Sequence, residues 1–141
     1  VLWGRPNVGK STLLNALLGR KHVIVSPRPQ TTRHRIAGVL HNNEGENYQI
    51  VFLDTPGIHV PQHKLGEALV KTARSALQDI ECVVFVGDAT DKPHGDDHRA
   101  AELLKQQLGK QKVPVILALN KCDAVSEQEL DTRRSEFQGL F

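Results

Sequence analysis

The sequence predicts an α/β fold built on a mostly parallel sheet. Strand-like runs alternate with helical patterns along its 141 residues. The run "VPVILALN" at 113–120 is apolar nearly throughout, the pattern of a strand covered by helices on both faces. Each stretch that suggests chemistry ends a strand-like run, and ligands of such sheets sit at the carboxyl ends of the strands.

The elements follow in order. Residues 1–3 read as a strand, short for a central one. The chain has no methionine, so it is expected to begin partway into that strand. Leu13, Leu14, Ala16, Leu17 and Leu18 form the apolar face of a short helix, and Gly19 stands where a C-cap glycine would. Residues 36–40 and 48–53 flank the turn-rich "HNNEGEN" and predict a hairpin, which makes one edge strand antiparallel. Leu65, Leu69, Ala73, Ala76, Leu77 and Ile80 keep helical spacing. Then come the strand "CVVFVGDA", a helix around 100–108, and the apolar run itself. Ser126 and Glu129 predict a capping box for a final helix. That helix ends at "FQGLF" with no strand after it.

Composition fits one soluble domain with a real core, with 39% hydrophobic and 24% charged residues. No apolar run has the length of a membrane span, and no signal-peptide pattern is present. Cys82 and Cys122 are too few for a disulfide framework and read as reduced thiols of a cytosol-like compartment. Charge is unevenly placed. Residues 1–43 hold seven Lys/Arg and no Asp/Glu, against eleven and sixteen in the remainder. Such a block suits an anionic ligand, although outside the motif a solvated basic face is the ordinary alternative. The seven histidines show no metal spacing; His59 and His63 are four apart, but a proline interrupts them.

"GRPNVGKS" at 4–11 fits G-x-x-x-x-G-K-[ST], the P-loop pattern. Gly4 and Gly9 let backbone N–H groups converge on phosphate oxygens. The helix that follows turns its unpaired N–H groups to the same anion. Arg5, Pro6, Asn7, Val8 and Thr12 belong to this nucleotide-binding stretch. Lys10 would bridge the β- and γ-phosphates, and the Ser11 hydroxyl would ligate Mg²⁺. "NKCD" at 120–123 selects the base. An Asp123 carboxylate can accept from guanine N1–H and the 2-amino group, and adenine offers no such pair of donors. Asn120 would touch the base edge and tie loops together, the Lys121 stem would pack along the base plane, and Cys122 lies between them. "DTPG" at 54–57 ends a strand: Asp54 is placed to hold Mg²⁺ through water, and the Gly57 N–H can sense a γ-phosphate. Thr55, Pro56 and Ile58 complete that segment. "QTTRH", Gln30, Thr31, Thr32, Arg33 and His34, lies in the loop before the hairpin, where Thr32 or Thr31 could complete the Mg²⁺ shell.

These four ordered motifs resemble translation-factor-class, Ras-like P-loop GTPases, and "PQTTRHRI" with "DTPGIHVPQHKLGEALVKTARSAL" closely resembles the G domain of bacterial Era proteins. The resemblance covers essentially the whole chain. It implies a GTP-driven, GTP-hydrolysing switch in assembly of the small ribosomal subunit, binding to that subunit's rRNA, a cytoplasmic monomer, and peripheral association with the inner membrane. It favours Thr32 as the Mg²⁺-sensing threonine. The family's guanine-contacting "SA" loop, last strand and helix, and RNA-binding KH domain are not in residues 1–141, which therefore read as a G domain truncated at both ends. Trp3 stands where the family has a small aliphatic residue. The alternatives are a tandem-domain ribosome-assembly or tRNA-modifying relative, and an RNA-binding module in which hydrolysis is incidental.

Catalysis is expected from Asn7, Lys10, Thr32 and Gly57. Ras orients its attacking water with a glutamine after D-x-x-G. Here Ile58 cannot do so; His59 could, although a solvated loop histidine is the ordinary alternative. In related GTPases an asparagine at the position of Asn7 helps hold K⁺, which supplies charge where an arginine finger otherwise would. The alternative is that Asn7 only shapes the loop.

Overall fold

Alternation along β4 (Val83–Asp88) divides the molecule into two cores. Val83 and Phe85 face one side, while Val84 and Val86 face the other. The same period of two splits β1 (Leu2–Trp3), which sends Trp3 to the first core and Leu2 to the second. The computed structural model describes residues 1–19, 35–42, 45, 47–54, 77, 80–109 and 111–141. The loop carrying Gln30, Thr31, Thr32, Arg33 and His34 lies outside them, as do Thr55, Pro56, Gly57, Ile58 and His59 and most of the helical pattern at 65–80.

β1, β4 and β5 (Val115–Asn120) form a parallel sheet in the order β1-β4-β5. β2 (Arg35–Asn42) and β3 (Tyr48–Asp54) pair as the expected antiparallel hairpin, with an irregularity between Ile36 and Gly38. β3 comes alongside β1. On one face, α1 (Lys10–Leu18) rests on the hairpin with the Leu18 side chain directly over Gly38, where a Cβ would meet the Leu18 methyls. On the other face, α2 (Gly95–Leu108) brings Ala101, Leu104 and Leu108, and α3 (Glu127–Gln138) brings Phe137, into the core around Trp3 and Phe85. The expected α/β architecture, with helices on both faces, is the observed one.

Trp3 is packed into the first core. It is 1% exposed, and its indole N–H donates to the Ala100 carbonyl at 2.8 Å, satisfying the one polar atom it buries. Three expectations need correction. β5 is not covered on both faces: Val115, Leu117 and Leu119 pack on the first core, but Ile116 is 55% exposed. Among the described residues β5 pairs with β4 alone. Leu17 is also exposed, because α1 buries only the Leu13, Leu14 and Leu18 side of its surface. α2 begins five residues before the expected 100. His94 is its N-cap: His94 Nδ1 accepts from the Asp96 N–H at 3.4 Å, and Asp97 Oδ2 accepts from the His94 N–H at 3.2 Å. This capping box uses residue types outside the usual Ser/Thr and Glu/Gln pattern. α3 opens on the expected box, Ser126 with Glu129.

Candidate nucleotide site

Three strand ends build the site. β1 runs into Gly4, β4 ends at Asp88 and β5 ends at Asn120. The strands are parallel, so all three exits face the same way. Asp88 and Asn120 are register partners, and the Ala89 N–H donates to the Asn120 carbonyl at 2.9 Å, which pins the two exits together. Asp54 is the last residue of β3.

The phosphate loop is shaped by two glycines. Gly4 has φ 143°, and a Cβ there would collide with the carbonyl oxygen of Val86. Gly9 has φ 93°, and its Cβ would run into the side-chain amide of Asn120. Between them Pro6 is partly buried, Val8 is fully buried, and Asn7 is exposed with φ 64°, a left-handed conformation that asparagine tolerates. α1 starts at Lys10, with Ser11 and Thr12 exposed in its first turn. No side chain caps this helix and no acidic residue sits in its first turn, so its leading N–H groups and positive dipole end are presented to an anion.

Lys10 Nζ donates to the carbonyls of Gly4 at 2.8 Å and Arg5 at 2.5 Å, which folds the ammonium over the loop. An ammonium carries three donors, so one remains for a phosphate oxygen. Burial and then the neighbouring Arg5 charge lower the Lys10 pKa from its ordinary value, against an opposing pull from Asp97.

Asn120 joins the base motif to this loop: its Nδ2 donates to the Val8 carbonyl at 2.8 Å. The expected tie between loops is therefore present. Lys121 follows with φ 61° and ψ 30°, and a 3-10 turn (Cys122–Ala124) carries Cys122 and Asp123 at the exposed rim.

Two aspartates absent from the sequence-based candidates underlie the site. Asp88, 4% exposed, accepts from Lys121 Nζ on Oδ2 at 2.6 Å. Its Oδ1 accepts from the Thr90 hydroxyl at 2.6 Å and the Thr90 N–H at 3.0 Å. Burial pushes the Asp88 carboxyl up, but the hydrogen bonds from Lys121 and Thr90 outweigh it and hold the pKa below its ordinary value. Asp97, fully buried, accepts from Arg5 Nε at 3.1 Å. Arg5 also lies 3.7 Å from Asp88, so the loop's arginine sits between two buried carboxylates. The sequence signals neither, because the partner of each lies in a distant segment. A carboxylate at the end of an apolar strand, or in the first turn of an amphipathic helix, is buried only with a partner.

The protein-family model described as "50S ribosome-binding GTPase" matches residues 1–121. Among curated proteins, the chain is 51% identical over 126 residues to the GTPase Era of Heliobacterium modesticaldum and 50% identical over 127 residues to that of Clostridium botulinum. These alignments cover 89% and 90% of the chain but 40% of each relative, so the chain spans about two fifths of their length. Among solved structures, an Aquifex aeolicus Era variant bound to GDP and AlF4⁻ superimposes with a TM-score of 0.68 at 38% identity, over 98% of this chain and 45% of that one. Era in complex with MgGDPNP and nucleotides 1506–1542 of 16S ribosomal RNA gives 0.66 at 36% identity, over 99% and 44%. The elongation factor SelB of Methanococcus maripaludis, at 21% identity and a TM-score of 0.64, shares the fold. The chain belongs to this family of P-loop GTPases, and its domain is a G domain of the Era type.

Proposed function

We propose that the chain binds GTP and hydrolyses it as a molecular switch in assembly of the small ribosomal subunit. One observation carries the nucleotide reading: Asn120 of the base motif donates to the Val8 carbonyl of the phosphate loop, so the two halves of a nucleotide site are held as one unit. The RNA reading is supported by the Era relative solved with 16S rRNA, a small-subunit RNA, although the family description names the 50S subunit. RNA contact, cytoplasmic location, peripheral attachment to the inner membrane and a monomeric state are read for the full-length protein. In this reading residues 1–141 are its G domain, without the guanine-contacting loop, last strand and helix, or KH domain.

The residues present suit Mg²⁺. Ser11 offers an exposed hydroxyl at the start of α1 and Asp54 ends β3, both oxygen donors of the kind this ion takes. Among the described residues no group of three His, Cys, Asp or Glu could hold a metal by itself. Ser11, Asp54 and Thr32 would therefore hold the ion together with water and phosphate. When bound, Mg²⁺ neutralises charge on the β- and γ-phosphate oxygens. The chain's own residues do the rest. Lys10 places its ammonium at the phosphates, Gly57 and Thr32 report the γ-phosphate, and Asp123 reads the guanine edge. Asn7 contributes its amide to a K⁺ site that offsets charge in the transition state. Its exposed side chain on the loop's left-handed corner supports that role.

The test is single-turnover hydrolysis by the full-length protein, comparing GTP with ATP, K⁺ with Na⁺, and small subunits present with absent. We expect GTP to be cleaved slowly unaided, on the order of 10⁻⁴–10⁻² s⁻¹, faster in K⁺ and with small subunits. Equal rates in K⁺ and Na⁺ would remove the role of Asn7. GTP-dependent subunit binding without stimulated hydrolysis would make the protein a nucleotide-regulated binding module. Indifference to GTP and subunits alike would defeat the whole reading.

A further inference from the structure

We propose that Asp88 is a positioning residue for the guanine base, acting through Lys121; this rests on the guanine reading above. Lys121 is the residue whose stem would lie along the base plane, yet its backbone adopts φ 61° and ψ 30°. That left-handed conformation is unfavourable for a lysine and persists only where the surroundings hold it. Asp88 supplies the hold. It ends β4 directly beside Asn120, the residue before Lys121, and the Ala89–Asn120 backbone bond fixes that spacing.

The two ends of the ion pair differ in freedom. The Asp88 side chain is 6% exposed and is anchored by two bonds from Thr90, whereas that of Lys121 is 43% exposed. The carboxylate is therefore the fixed end and the lysine the guided one. With its Cα just past β5 and its ammonium tied to the end of β4, the lysine stem must bridge the two strand ends. There it forms an apolar ledge between Asn120 and Asp123. A free lysine in water would lose rotamer entropy on packing against a base, and Asp88 settles that cost in advance. The contribution falls on the base, which GDP and GTP share.

Two substitutions separate this role from a merely structural one. Asp88→Asn keeps the volume and the oxygen that accepts from Thr90 but turns an amide toward Lys121. Thr90→Val removes the hydroxyl bond and leaves the ion pair. With fluorescent GDP, GTP and ADP analogues and the full-length protein, Asp88→Asn is expected to weaken GDP and GTP by the same factor, about three- to tenfold for a charge-assisted bond with one exposed partner. Thr90→Val should change affinity by less than about twofold, the scale of an ordinary surface hydroxyl contact. Lys121→Met, which keeps the apolar stem but removes the ammonium paired with Asp88, should also weaken GDP and GTP equally, and adding Asp88→Asn to it should cost no more. Wild-type affinity in Asp88→Asn would overturn the proposal. So would an equal loss in Thr90→Val, or losses that multiply in the double variant. A wild-type protein that does not prefer GDP to ADP would instead overturn the guanine reading itself.

Discussion

Asn120 and Val8 are 112 positions apart, and a single 2.8 Å hydrogen bond between them joins the base motif to the phosphate loop. Val8 is fully buried, so its carbonyl has no ready substitute for that donor. Asn120→Ala should destabilise the fold by about 1–3 kcal/mol, the cost of stranding a buried acceptor. Urea denaturation checks it. Repeating the titration with saturating GDP should show a smaller gain in stability than the wild type obtains, because the loop and the base site no longer move together.

Two glycines with positive φ should respond very differently to alanine. At Gly4 the new Cβ would strike the Val86 carbonyl, a backbone atom held in β4. At Gly19, with φ 54°, nothing lies within 4 Å of the added atom. Gly4→Ala should cost at least about 2 kcal/mol and abolish nucleotide binding. Gly19→Ala should cost only the strain of a side chain at φ 54° and ψ 174°, about 1–3 kcal/mol, and leave nucleotide binding intact. Thermal unfolding and nucleotide binding of the pair measure the difference, and equal losses of binding would contradict the geometry.

The Arg5–Asp97 pair anchors the phosphate loop to the first turn of α2. Removing Arg5 strands the Asp97 carboxylate, and removing Asp97 leaves Arg5 only its longer contact with Asp88. Arg5→Ala and Asp97→Ala should each destabilise by about 3 kcal/mol or more. The double variant should lose less than the sum of the two, since neither charge is then stranded. A denaturant-based double-mutant cycle gives the coupling directly.

Acid should act through Asp88. Its carboxyl is held below the ordinary value of 3.8 in the folded protein. The unfolded chain therefore takes up the proton first as pH falls. The stability this group contributes is fully present above that ordinary value and drains away as pH drops through the lower folded one. The stability difference between wild type and Asp88→Asn should be constant from neutral pH down to about pH 5 and shrink below pH 4. A difference that changed near neutrality would point to another group.

The parts of the site that chemistry demands were legible in the chain. Gly4, Gly9, Lys10, Asn120 and Asp123 sit where phosphate and base recognition require them, and the structure gathers them at one end of the sheet. The supporting groups were not, because their roles depend on contacts between distant segments. Asp88 looks like the tail of a strand until Lys121, 33 residues on, is placed beside it. Asp97 lies ahead of the expected helix and looks like a loop carboxylate until Arg5, 92 residues before it, reaches it. The early start of α2 was hidden for a local reason, since histidine is not an expected N-cap. Ile116 shows the limit of reading burial from an apolar run, because composition cannot say whether a strand has a neighbour on each side.

Trp3 has a further use. It is the only tryptophan in the chain, and it immediately precedes Gly4, the first residue of the phosphate loop. Its ring is sealed from water and its N–H is fixed on Ala100, at the middle of α2. Its emission is thus set by the wall behind the loop, and it is the one indole within residues 1–141. In residues 1–141, a change in the loop on nucleotide binding is expected to register as a shift in the emission of this buried indole.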